Sequence, residues 1–260
     1  MELGLRGRHA IVTGGSKGIG LAVATELASE GASVSICARN AAEVAAAGEQ
    51  LRRHGGIVHE QVVDVTDAQQ VGAYISAAAA ALGGIDILVN NAGAAHPGTF
   101  ETLTDEDWRG DLDVKLFSQI RCTRAALPHL RQSTAARVIN INAIYARYPD
   151  PKFFATTVNR AACLNLNKAL ALEFGPEGIL VNSVNIGFVV TPQWENIRIK
   201  RAPDLSQEEF FSTWAAAEVP LGRFGDVEEV SGIVAFLAGD RASYITGASI
   251  DVAGGMGKYV

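Results

Sequence analysis

Thr13-Gly14-Gly15-Ser16-Lys17-Gly18-Ile19-Gly20 follows directly on the apolar run His9-Val12 and opens into Leu21-Glu30, a stretch of helical composition. Strand, glycine-rich turn and helix in that order have a physical use. Glycines let the backbone turn tightly and come close to a pyrophosphate, while free N–H groups and the positive dipole end of the helix attract the anion. Gly14, Ser16, Lys17, Gly18, Ile19 and Gly20 are therefore candidate contacts to a dinucleotide. A glycine triplet alone is weak evidence, and its place between strand and helix gives it weight.

The alternation continues along the chain. Runs rich in β-branched residues at Ala32-Cys37, Ile57-Val63, Ile85-Asn90, Arg137-Ile141, Ile179-Val184 and Ala248-Val252 are separated by Ala/Leu-rich segments of helical length. Parallel strands need crossovers, so helices cover both faces of the sheet, and ligands bind beyond the carboxyl ends of the strands where the strand order reverses. The fold class expected is α/β: a Rossmann-type, doubly wound, seven-stranded parallel sheet flanked by helices. Asp67 with Gln70, and Thr104 with Asp107, have the spacing of helix amino-terminal caps. Ala77-Ala81 reads as a helix packed closely on the sheet.

With 260 residues, 48% hydrophobic side chains and no Pro/Gly/Ser linker, the chain is expected to form one domain spanning residues 1–260. The net charge of −6 supplies no basic footprint for nucleic acid and disfavours an anionic membrane surface. No apolar run reaches the ~18 residues of a membrane span, and Met1-Glu2-Leu3-Gly4 lacks an export signal, so a cytoplasmic location is expected. Cys37, Cys122 and Cys163 read as reduced, buried core residues, and no metal site is expected. One stretch breaks the rhythm. Residues 188–221, with Pro192, Pro203 and Pro220 among Trp194, Phe210, Phe211 and Trp214, are too long for a routine loop and are expected to form a lid with helix of its own.

The end of the second strand indicates the cofactor. A site for NAD usually places a carboxylate there, about 20 residues beyond the glycines, to hold the ribose 2′-hydroxyl. This chain has Ala38-Arg39-Asn40. A guanidinium suits a 2′-phosphate, and Lys17 adds a second cation, so the cofactor expected is NADP(H).

Further motifs stand in order along the chain. Asp64-Val65, Asn90-Asn91-Ala92-Gly93, Asn140-Ile141-Asn142-Ala143, Val189-Val190-Thr191, Pro220-Leu221-Gly222-Arg223 and Phe236-Leu237-Ala238 follow the glycine loop. Together they resemble the short-chain dehydrogenase/reductase family over nearly the whole chain. The resemblance implies that Asp64 and Val65 contact adenine, that Asn91, Ala92 and Gly93 border the cofactor, and that Thr191 lies near the nicotinamide amide. It also implies a homodimer or homotetramer and hydride transfer between a nicotinamide and a carbonyl or alcohol.

That chemistry usually uses four side chains: a tyrosine to exchange the proton, a lysine four residues later, a serine to orient substrate, and an asparagine supporting a water. Carried over position by position, all four differ here. Lys115 stands for the asparagine, Ala143 for the serine, Thr156 for the tyrosine and Arg160 for the lysine. Threonine's hydroxyl is a far weaker acid than a phenol of pKa ~10, and an arginine does not shuttle protons. In addition, Ile186 and Ala253 replace the proline and aspartate of two carboxyl-terminal turns. A literal YxxxK, Tyr148 to Lys152, contains Pro149 and Pro151 and so cannot form the helical turn needed.

Lys115, Tyr145 and His96 are the candidate substitute acids, each set against a bland reading as a solvated or packed side chain. Lys115 qualifies if burial or Arg160 lowers its pKa. Three functions follow. The first is an NADP(H)-dependent oxidoreductase with a non-standard proton path; the second is a redox-inactive cofactor sensor or regulatory subunit; the third is a hydrolase, lyase or isomerase reusing the pocket. The substrate expected is a small, partly apolar molecule. Arg198, Lys200 and Arg201 hint only weakly at an anionic group, and solvated charge is the favoured reading.

Overall fold

A computed structural model describes residues 2–257. All seven expected strands are present, their ends displaced by one or two residues: β1 His9–Thr13, β2 Ser33–Ala38, β3 Val58–Val62, β4 Ile87–Asn90, β5 Arg137–Ala143, β6 Leu180–Ile186 and β7 Ser249–Val252. The helices are α1 Gly18–Ser29, α2 Ala41–Arg52, α3 Ala68–Leu82, α4 Asp105–Leu112, α5 Ser118–Leu130, α6 Phe154–Phe174, α7 Pro192–Arg201, α8 Gln207–Glu218 and α9 Val227–Ala238. The strands form one parallel sheet in the order β3-β2-β1-β4-β5-β6-β7. That order reverses between β1 and β4, which places the ligand crevice beyond their carboxyl ends.

Side chains of successive strand residues point to opposite faces. Ala10 and Val12 accordingly pack with Val23 and Leu27 of α1 and Val230 and Val234 of α9, while Ile11 between them packs with Tyr74, Ile75 and Ala78 of α3 and Cys122 and Ala126 of α5. Full burial of an Ile or Leu side chain contributes about 1.5–3 kcal/mol, so this two-sided core holds the helices where the site needs them. Asp67 accepts hydrogen bonds from the Gln69 and Gln70 amides, and Thr104 with Asp107 forms a reciprocal cap. All three cysteines are buried and unpaired. Burial pushes the Cys37 thiol up to about 12, so it is unreactive at neutral pH.

A polar thread crosses the core. Asn90 Nδ2 donates to Asn140 Oδ1 at 2.9 Å, and Asn140 Nδ2 donates to Asn167 Oδ1 at 2.9 Å, tying β4 through β5 to α6. Buried amides left unpaired would be costly, so these bonds set the angle of α6 against the sheet.

Two departures from regular helix matter for the site. Between α4 and α5 the chain makes a π-helical stretch, Asp113–Phe117, of the kind that recurs at functional positions. Residues 188–221 contain α7 and α8. Their Trp194 and Phe210 pack with Phe188, Phe224, Ile144 and Met256 in a separate cluster, with Phe188 and Trp194 edge to face at 4.8 Å.

Candidate active site

The glycine loop closes against the end of β4. Thr13 Oγ1 accepts from the Asn91 and Ala92 amides at 3.0 and 3.1 Å, and Asn91 Nδ2 donates to the Thr13 and Gly14 carbonyls at 2.9 and 3.1 Å. Gly20 has to be glycine, because a Cβ there would stand 2.2 Å from the Gly14 carbonyl oxygen. Gly14 and Gly18 have φ of +65° and +55°, a region that side chains disfavour. Lys17, the residue before α1, is extended and supplies no side-chain cap, so the first amides of α1 keep their donors for an anion.

A cavity of about 620 Å³ runs from this loop across the ends of β1 and β4. Gly14, Ser16, Lys17, Gly18, Ile19, Gly20, Arg39, Asp64, Val65, Asn91, Ala92, Gly93 and Thr191 all lie on its wall, as do Lys115, Tyr145, Thr156 and Arg160. At one end Arg39 is exposed, while Lys17 Nζ lies 2.7 Å from Glu43 Oε1. Lys17, expected to add a second cation for a 2′-phosphate, is thus ion-paired with Glu43. Glu43 was not anticipated, since 26 residues of chain separate the partners and no local spacing joins them.

At the other end the π-helical stretch carries Lys115 inward, where its side chain is 1% exposed. Its ammonium is ion-paired with Asp111 and donates to Thr156 Oγ1 at 3.2 Å. Asp111 is in turn held by Asn159 Nδ2, which donates to its Oδ2 at 2.8 Å, and by the Thr156 hydroxyl, which donates to Oδ1 at 3.2 Å. Burial first, and the Arg160 guanidinium second, lower the Lys115 pKa from 10.5 to about 8 against the opposing pull of Asp111. Arg160 Nη1 donates to the Ile141 carbonyl at 2.8 Å, and its Nη2 lies so close to Gly93 that a Cβ there would be 3.2 Å away. An ammonium poised near neutrality, a hydroxyl touching it and a fixed cation therefore share one stretch of wall.

Sequence reasoning did not single out Asp111 or Asn159. The Asp111–Lys115 spacing of four was visible on the helix, but the burial that makes it matter was not.

A model of the family described as enoyl-(acyl carrier protein) reductase matches residues 14–257. A ketoacyl reductase named for the monensin polyketide synthase of Streptomyces virginiae is 38% identical over 97% of this chain and 98% of its own length. The chain belongs to the short-chain dehydrogenase/reductase family. Among solved structures, a short-chain oxidoreductase of Pseudomonas aeruginosa PAO1, described as containing an atypical catalytic center, superposes with a TM-score of 0.93 at 38% identity, covering 99% of this chain and all of that one. An NADPH-bound structure of a P. aeruginosa PAO1 short-chain oxidoreductase with the same description gives a TM-score of 0.90 at 39% identity, covering 96% and 97%.

Lys115, Ala143, Thr156 and Arg160, the four positions the sequence resemblance points to, all border the same cavity. His96 is off the cavity wall, its Nε2 3.3 Å from Asp107 Oδ1. Tyr148 and Lys152 lie on an irregular loop before α6. Tyr145 stacks on Phe153 with ring centres 5.6 Å apart, and burial, aided by Asp150, raises its phenol pKa well above the ordinary range. Arg198, Lys200 and Arg201 are absent from the wall, and Arg198 is ion-paired with Glu195.

Proposed function

We propose that this chain is an NADP(H)-dependent oxidoreductase that interconverts a carbonyl and an alcohol, with Lys115 supplying the proton through the Thr156 hydroxyl. The observation that carries it is the 3.2 Å contact between Lys115 Nζ and Thr156 Oγ1 at the cavity wall. NADPH-bound structures of close relatives support the cofactor, and the residues here fit it. The uncapped amides at the start of α1 suit a pyrophosphate, and the exposed Arg39 suits a 2′-phosphate.

When bound, reduced nicotinamide supplies a hydride to the carbonyl carbon. The chain's own residues deal with the proton. A threonine hydroxyl is too weak an acid to give up its proton unaided, but once it turns from Asp111 toward the substrate oxygen it can pass that proton on as another arrives at the same oxygen. The Lys115 ammonium, already bonded to Thr156 Oγ1, is that source. Asp111 holds the ammonium in place and balances its charge; Asn159 fixes Asp111. Arg160, set over Gly93, offers a permanent positive charge and hydrogen bonds to the nicotinamide ribose, and it keeps the Lys115 pKa low enough for exchange. Tyr145, Phe153 and Trp194 form the apolar part of the wall, suited to a small, partly apolar substrate.

Fluorescence titration with NADPH, followed by turnover on a panel of ketones and aldehydes, tests this reading. Reduction is expected to be fastest below about pH 8 and to fall above it as Lys115 loses its proton. Lys115→Met is expected to lower kcat at least about 10²-fold while leaving NADPH binding in place. Binding with no turnover of any carbonyl would instead support a sensor or regulatory subunit, and consumption of substrate without change in NADPH a lyase, isomerase or hydrolase.

Assembly as a homodimer or homotetramer and a cytoplasmic location belong to the same proposal. Apolar Phe117, Val158 and Leu172 are exposed, and the unpaired cysteines suit a reducing compartment. No helix among the described residues is long and apolar enough to cross a membrane.

A further inference from the structure

The adenosine end of the cavity holds an acid among its cations. Glu43, in the first turn of α2, lines the wall with Ser16, Lys17 and Arg39, its Oε1 2.7 Å from Lys17 Nζ and its Oε2 3.5 Å from Ser16 Oγ. Lys17 and Glu43 have side-chain exposures of 57% and 35%. A pair so open to water is weakly held and exchanges partners readily. Arg39, by contrast, makes no ion pair among the described residues and stays available. The Glu43 backbone amide caps α2 through Asn40 Oδ1, so the carboxylate is not needed for that turn.

We infer that Glu43 is a cofactor-specificity residue: it competes with a 2′-phosphate for Lys17 and thereby holds down the preference for NADP(H) over NAD(H). The inference rests on the cofactor reading above. When a 2′-phosphate arrives, Lys17 has to leave Glu43 for it, and the freed carboxylate faces an anion of charge about −1.5 to −2. When the cofactor lacks that phosphate, the Lys17–Glu43 pair survives. The carboxylate then has a lone pair free for a ribose 2′-hydroxyl.

The test compares Glu43→Gln with the native chain, titrating each with NADPH and NADH by fluorescence at several salt concentrations. Glu43→Gln is expected to tighten NADPH about fivefold at low salt and to leave NADH unchanged or weaker, with the gain shrinking as salt rises. In a Lys17→Met background the same substitution is expected to change NADPH affinity less, because the competition has been removed. An unchanged NADPH-to-NADH ratio, or weaker NADPH binding in Glu43→Gln, overturns the inference alone. Failure of the native chain to bind either nucleotide overturns the cofactor reading and this inference together.

Discussion

Replacing Asp111 by asparagine is expected to destabilise the fold in a way that depends on pH, and the sign follows from Lys115. In the folded chain burial and the Arg160 charge bring the Lys115 pKa to about 8, against an ordinary 10.5, a depression equivalent to a net cost of about 3 kcal/mol to the charged form. Between those values the unfolded chain holds a proton that the folded chain has released. Stability therefore rises with pH through that window, and the cost is fully present below it. Asp111 offsets part of the cost by pairing with the ammonium; both side chains are at most 1% exposed. Asparagine keeps the shape and removes the charge. The ammonium is then buried and unpaired, a loss of about 3–5 kcal/mol.

Because the Asp111 charge holds the Lys115 pKa up, the Lys115 pKa in Asp111→Asn should fall below about 8. Just below about pH 8 the variant sheds a proton that the native fold retains, so its deficit should shrink on going from about pH 6 to about pH 9. Urea unfolding of both proteins at these two pH values measures it, with an unchanged m-value showing that compactness is preserved. A double variant, Asp111→Asn with Lys115→Met, should regain most of the loss, since no buried charge is left. A deficit that is flat with pH, or a single variant as stable as the native chain, refutes the picture of a buried pair bordering the cavity.

Two further outcomes bear on the cofactor end. Gly20→Ala places a Cβ 2.2 Å from the Gly14 carbonyl oxygen, so it should cost about 1–3 kcal/mol in thermal unfolding and abolish detectable NADPH binding by distorting the loop. Arg39→Ala should weaken NADPH about tenfold at low salt and less at high salt, with little effect on NADH; equal effects on both would mean that Arg39 does not meet the 2′-phosphate.

The fold was legible because its signals are local and repeated. β1 and the glycine loop carry their meaning in adjacent residues, and strands buried on both faces read as apolar runs whatever lies above them. Strand ends were less so, since Ala143 and Ile186 extend β5 and β6 through pairing with each other, a contact between distant segments. That the glycine loop and the ends of β2, β3 and β4 border one cavity was legible for the same reason as the fold. Glu43, which was not expected there, faces Lys17 across a loop that no periodicity describes.

The half around Lys115 was harder because identical spacings have different physics when buried. Asp105 and Arg109 lie four residues apart on α4, as Asp111 and Lys115 do a turn later. The first pair has exposures of 88% and 69% and is worth little; the second is fully buried and governs a pKa. The two pairs lie on different faces of the helix, and the π-helical stretch that carries Lys115 at the cavity wall is announced by no residue type. A buried ion pair is a poor way to stabilise a fold, since apolar side chains of the same volume often do better. A pair maintained there, touching a hydroxyl at the edge of a cofactor-sized cavity, is better explained by the chemistry it can perform than by the stability it adds. Asp111→Asn tests the electrostatics of that pair, because removing half of a buried ion pair is pH-dependent whatever the pair is for, and the turnover of Lys115→Met tests its chemistry.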